Sequence, residues 1–282
     1  QNSFAMKKFM LFTALCGVLL AVDAQPIKTP SPSTTQNVKQ EFGLSAIELS
    51  YSRPNMKGRK IFGDLVPYNA VWRTGANSAT TLTFGDDVTI GGTKIPAGKY
   101  GLLSIPGASE WILIITKQLD VTSPAAYKQD QDVVRVKVKP ETLPFSLESF
   151  TIVFDEVKPN STNLVLLWDK TSVSLPITTD IDSKIQAQID NAMNKDNKPY
   201  FQSAMYYMES GKDLNKANEW FDKAIAQQPD AFWIHYQKAN CCAKLGKKSD
   251  ALAASNKSME LAKAAKNDDY IALNTKLQAT LK

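Results

Sequence analysis

Residues 53–77 read RPNMKGRKIFGDLVPYNAVWRTGAN and hold three of the chain's four arginines, Arg53, Arg59 and Arg73. Lys57 and Lys60 add charge of the same sign against a single acid, Asp64, and Phe62, Tyr68 and Trp72 lie among them. A guanidinium is a flat fork of donors that matches carboxylate or phosphate oxygens two at a time, whereas an ammonium is a point charge. Asn77 offers both donor and acceptor, and Tyr68 or Trp72 can present a stacking face. The chemistry implied is recognition of a polar or anionic group on a loop-rich surface built from Arg53, Lys57, Arg59, Tyr68, Trp72, Arg73 and Asn77. A structural reading competes with it: arginines at strand ends bond to the protein itself, Pro54 ends a strand, and Trp72 is core.

Catalytic alternatives are thin. The one histidine, His235, lies in a helical pattern where the only nucleophiles on the same helix are Cys241 and Cys242. A histidine-based zinc site needs two or three imidazoles or thiolates. Neighbouring cysteines on a helix face different ways, so Cys241 and Cys242 read as buried packing thiols without a disulfide. Asp86-Asp87, Asp130-x-Asp132 and Asp155-Glu156 are the candidate carboxylate pairs, and none has the spacing of a calcium loop. The glycine-containing stretches lack a phosphate-loop pattern. No catalytic residue, metal ligand or cofactor is assigned.

The elements that must position this segment fall into two kinds. From residue 38 to 179 short β-rich runs alternate with turn signals, at 47–51, 79–84, 100–105, 111–116, 133–138, 150–157, 164–168 and 172–177. Gly91-Gly92 suits a tight hairpin and Pro96-Ala97-Gly98 a turn. Alternation as in Val134-Arg135-Val136-Lys137-Val138 gives a strand one buried and one wet face. The pattern predicts an antiparallel β-sandwich, jelly-roll-like, with Trp111 and Trp168 in its core.

Residues 180–282 read as helix. Asp180 caps a segment whose Ile181, Ile185 and Ile189 share a face. Tyr200, Ala204, Tyr207, Gly211, Ala217, Phe221, Ala224 and Pro229 then match the packing positions of a tetratricopeptide repeat. Ala239, Gly246 and Ala251 match in a second unit, where Cys242, Ser255 and Ser258 depart from the pattern. A final amphipathic segment at 270–281 would cap this short array, whose concave face would take a protein partner.

Ahead of both halves, Lys7 and Lys8 precede an apolar run at 9–22 too short to span a bilayer, and Ala24 suits a signal-peptidase cut. Residues 1–24 are therefore expected to be an export signal with upstream residues. Gln25 would begin a mature chain that is periplasmic or secreted, and 25–37, rich in Pro, Ser and Thr, would be a flexible lead-in. The net charge of the whole chain is +5, and loss of Lys7, Lys8 and Asp23 lowers it to +4. So mild a balance argues against nucleic acid as a partner.

The pieces Tyr51-Ser-Arg-Pro, Lys57-Gly-Arg, Ile61-Phe-Gly, Val71-Trp-Arg-Thr-Gly-Ala-Asn77, Ile95-Pro-Ala-Gly-Lys-Tyr100 and Asp132-Val-Val-Arg135 together resemble a family of exported bacterial proteins. The family is known as domain of unknown function 2911, and the resemblance covers roughly residues 29–178. It implies a Gram-negative envelope setting and marks Arg53, Lys57, Arg59, Trp72, Arg73 and Asn77 as family-defining. It supplies no catalytic residue. The expected function is a non-catalytic exported binding protein for a glycan, a cell-envelope fragment or a peptide carboxylate. The alternatives are a carboxylate-dependent envelope hydrolase and a purely structural or assembly module.

Overall fold

Apolar side chains two residues apart pull the first half of the chain into strands that share one interior. A computed structural model describes residues 29–281. The expected export signal and its cut before Gln25 lie outside the described residues. One sheet is antiparallel in the order β1 (Thr34–Phe42), β2 (Ser45–Arg53), β3 (Thr81–Phe84), β6 (Gly98–Ile105), β7 (Trp111–Thr116), β8 (Asp132–Val138). The other runs β5 (Thr93–Ile95), β4 (Val88–Ile90), β10 (Ser161–Thr178), β9 (Glu141–Asp155). Leu49, Tyr51, Leu82, Leu102 and Leu113 from the first sheet form a single buried cluster with Ile90, Phe150, Leu166, Trp168 and Leu175 from the second. The β half is thus an antiparallel sandwich whose core is the interleaved inner faces of two sheets.

Three expectations change on inspection. Residues 34–37, expected as part of a mobile lead-in, are paired in β1, with Thr34 opposite Arg53 and Asn37 opposite Ser50. The runs 164–168 and 172–177, expected as two strands, are one. Asp169 adopts φ 51°, and the register of β10 against β9 shifts on both sides of it. A bulge flips the side-chain parity, so Leu164, Leu166 and Trp168 face the core before it and Val173, Leu175 and Ile177 after it. The strands β4 and β5 were not expected as strands, although the turn between them was. Gly91 and Gly92 take φ 56° and 78°, the left-handed pair that a two-residue hairpin requires.

The outer face of the larger sheet is covered as well. Leu103 of β6 and Ile114 of β7 pack with Val121, and Val71, Ile105 and Tyr127 close around them. The covering chain is the long connection after β2 and the loop between β7 and β8. These two segments build the site.

A second compact unit begins at Asp180. It contains α1 (Asp182–Met193), α2 (Tyr200–Glu209), α3 (Leu214–Gln227), α4 (Phe232–Lys244), α5 (Lys248–Ala264) and α6 (Asp268–Thr280). Ala204, Ala217, Phe221, Ala239 and Ala251 are fully buried where helices meet. Ser255 and Ser258, also buried, are satisfied by Asn274: Ser255 Oγ donates to its side-chain oxygen and Asn274 Nδ2 donates to Ser258 Oγ, both at 2.8 Å. Cys241 and Cys242 are buried and unpaired, and burial pushes the Cys241 thiol up to about 11.

Asp180 receives the Ser183 N–H at 3.1 Å, as a capping residue should. Asp182 fastens α1 to its neighbour, accepting from Tyr206 Oη and, at 2.9 Å, from Lys212 Nζ. Those two bonds hold the Asp182 carboxyl below its usual 3.8. A carboxylate depressed in this way contributes stability that is complete above 3.8 and lost as pH falls through the lower folded value. Acidification should therefore raise amide hydrogen exchange in α1 before it does so in α4, and Asp182→Asn should remove that difference.

Candidate functional site

The connection between β2 and β3 has little regular structure and is held by short backbone pairings. Asn55 bridges Ser149, Met56 N–H donates to the Glu148 carbonyl at 2.8 Å, and Phe62 bridges Val66. Trp72 then exchanges two backbone bonds with Ser104 of β6, at 2.7 and 2.9 Å. This pairing fixes the Trp72 ring at the sandwich's end. It stacks on Trp168 at 5.8 Å and 18°, and meets Phe150 edge-on at 5.0 Å and Phe62 at 6.2 Å.

Beside that ring lies a cavity of about 390 Å³. Leu65, Val66, Pro67, Val71, Trp72 and Trp168 supply apolar wall, and Val121 and Pro124 close the far side. Arg59 and Arg73 line it too, with Ser33, Thr122 and Ser123. No Asp or Glu is among the lining residues. The loop that provides the far side is itself braced. Gln118 Nε2 donates to the Ala126 carbonyl at 3.0 Å, and Lys117 N–H donates to the Gln131 carbonyl at 3.0 Å. At its end Tyr127 Oη and Arg135 both bond Asp132, and burial and that carboxylate push the Tyr127 phenol up to about 12.

The seven residues singled out in the sequence do not share one place. Arg59, Trp72 and Arg73 line the cavity. Arg53 instead ties the sheets together, donating from Nε to the Phe150 carbonyl at 3.0 Å and from Nη2 to Thr151 Oγ1 at 2.9 Å. Asn77 is exposed and donates from Nδ2 to the Ser33 carbonyl at 2.9 Å. Lys57 is exposed in a turn, where its N–H meets Glu148 Oε1 at 2.8 Å. Tyr68, 41% exposed, covers Gly63, whose added Cβ would sit 2.6 Å from the ring. The wall residues Val121, Pro124 and Trp168 carry no signal of a site in the sequence, since Ser123-Pro124 reads only as a turn and Trp168 only as core.

The arginines differ from ordinary surface cations in their partners. Arg135 pairs with Asp132 at 2.9 Å. Among the described residues Arg59 donates only to the Met56 and Asn55 carbonyls, at 2.9 and 2.7 Å, and Arg73 Nη1 only to the Thr122 carbonyl. Carbonyls position a guanidinium without neutralising it, so the cavity keeps a positive field that favours an anion.

None of the candidate acids Asp86, Asp87, Asp130, Asp132, Asp155 and Glu156 lines the cavity. Asp87 pairs with Lys94 at 3.0 Å and accepts the Ala97 N–H at 3.1 Å, and Glu156 accepts from Asn163 Nδ2. His235 Nε2 lies 2.9 Å from the Pro229 carbonyl and packs in the helical unit. Among the described residues no group of three or more His, Cys, Asp and Glu gathers as a metal cluster.

Arg53 permits a direct check of its separate role. Arg53→Met keeps the stem but orphans the Phe150 carbonyl, and should cost about 1–3 kcal/mol of β-unit stability. Chemical denaturation followed by near-UV circular dichroism reads that loss.

The fold and site define a two-sheet antiparallel domain whose loops form a largely apolar cavity beside two arginines that have no carboxylate partner among the described residues. The chain belongs to the family described as Protein of unknown function (DUF2911), whose model matches residues 33–177. Every cavity-lining residue, from Ser33 to Trp168, falls within that span. Neither a search of curated proteins nor one of solved structures found a match.

Proposed function

We propose that the protein is an exported, non-catalytic binding protein whose β unit holds a polar or anionic envelope ligand, a glycan, cell-wall fragment or peptide. Its helical unit is a short tetratricopeptide-like array for a protein partner. The observation that carries the first part is the cavity of about 390 Å³, of the size that holds small ligands, with Arg59 and Arg73 in its lining and no carboxylate. A hydrolase working through paired carboxylates needs two acids facing a substrate, and the lining supplies neither. Support for the array comes from the buried small residues Ala204, Ala217, Ala239 and Ala251, spaced as packing positions of such repeats, and from the left-handed turns at Gly211 and Gly246. Export rests on Lys7, Lys8, the apolar run and Ala24.

Mass spectrometry of protein taken from its own envelope fraction tests both parts. The denatured mass should begin at Gln25. The native spectrum should carry a small-molecule adduct that disappears in Ala70→Phe, a change that fills the cavity from its half-buried wall. Retention of residues 1–24 removes the export reading. Identical native spectra for parent and variant remove the binding reading.

A further inference from the structure

The binding reading leaves the ligand's chemistry open, and the cavity's donors and acceptors narrow it. Leu65, Val66, Val71, Trp72, Val121 and Trp168 offer hydrocarbon. Pro54, Pro67 and Pro124 add wall without an N–H donor. Both indole donors are already used inside the protein, Trp72 Nε1 on the Gly75 carbonyl at 3.0 Å and Trp168 Nε1 on the Glu148 carbonyl at 3.1 Å. The two tryptophans therefore show the cavity only apolar ring surface. The side-chain hydroxyls in the lining are those of Ser33, Thr122 and Ser123. A sugar ring brings several hydroxyls, each costly to bury without a partner.

Positive charge is concentrated at one pair of residues. Arg59 spends Nε and Nη2 on carbonyls, and Arg73 spends Nη1. Nη1 of Arg59 and Nε and Nη2 of Arg73 have no partner among the described residues, which is enough for the two oxygens of a carboxylate. Resting on the binding reading above, we infer that this cavity takes an amphiphilic acid: an apolar group beside a terminal carboxylate, about one or two amino-acid residues in size. The apolar group lies against Trp72 and Trp168 and the carboxylate meets Arg59 and Arg73. Free aromatic or branched acids and peptide C-termini both present this chemistry.

Isothermal titration calorimetry of the full chain decides the matter with five probes. These are 3-phenylpropionate, N-acetyl-L-phenylalanine, its uncharged amide, phenyl phosphate and chitotriose. The two acids should bind, and the amide should bind about tenfold more weakly or worse, the loss expected when a charge-assisted bond is removed. Arg59→Gln and Arg73→Gln should each weaken the acids by about tenfold and the amide by much less. N-acetyl-L-phenylalanine well ahead of 3-phenylpropionate would identify a peptide end, and parity a free acid. Tighter binding of chitotriose or phenyl phosphate than of the acids, abolished by Ala70→Phe, would overturn the acid assignment and leave the binding reading standing. Equal binding of acid and amide would do the same. No binding by any of the five would remove both.

Discussion

Trp72→Ala should lower the stability of the β unit by about 3 kcal/mol, the low end of the range for removing a large aromatic from a packed interior, because the ring is partly buried. The ring touches Trp168, Phe150, Phe62 and Trp111, with centroids between 5.0 and 6.5 Å. Its loss deprives four aromatics of a neighbour and merges their space with the cavity, so the surroundings cannot simply collapse into the gap. The indole N–H to Gly75 also goes, freeing the turn that follows. Denaturation followed by near-UV circular dichroism should show the loss in the β unit alone. Trp72→Phe keeps part of the edge-on packing and should lose much less. Equal effects of the two would mean that the indole does not hold the aromatic cluster together.

Gly101→Val should be nearly as damaging, at about 2–3 kcal/mol, for the opposite reason of overpacking. Gly101 lies in β6, opposite Thr116 of β7. A Cβ added there would stand 2.2 Å from the Gln118 carbonyl oxygen and 3.0 Å from Thr116 Cγ2. The first obstacle is backbone and cannot rotate away, so the loop after β7 must lift. That loop carries Val121, Thr122, Ser123 and Pro124 into the cavity wall. The variant should therefore lose ligand binding along with stability, whereas Arg53→Met should lose stability and retain binding. Titration of both variants with one probe, at a temperature where each is folded, separates the two cases.

Much of the β unit was legible because burial writes a period of two along a strand. Ile47, Leu49 and Tyr51 announce β2, and Trp111, Leu113 and Ile115 announce β7. That rule fails where the parity itself changes. The bulge at Asp169 broke β10 into two apparent runs, since no residue type signals that the strand continues through it. The opening of β1 was missed for another reason: Thr34 to Asn37 are polar and mostly exposed, and only pairing with β2 keeps them extended.

The site was half legible. Cations without nearby acids did mark Arg59 and Arg73, whose guanidinium groups rest on carbonyls. The same signal covers Arg53, which serves as a strap between sheets, because composition cannot distinguish a cation facing a ligand from one facing Phe150. The wall at residues 121–124 was out of reach altogether. It shares a cavity with Trp72 only because the chain folds back over Gly101, and that closeness is a property of packing, absent from any local pattern.

The adjacent thiols of the helical unit have a use that follows from their burial. Cys241 and Cys242 are shielded in the closed unit, and Cys241, held at about 11, is almost wholly in its unreactive protonated form at neutral pH. An alkylating reagent reaches them only when α4 lifts from its neighbours. No cysteine lies among the described residues of the β unit, so that half is silent to the same reagent. The rate of mass gain on the peptide that carries Cys241 and Cys242 is therefore a clock for opening of the helical unit, and a partner that clamps the helices should slow it even if it leaves no other spectroscopic trace.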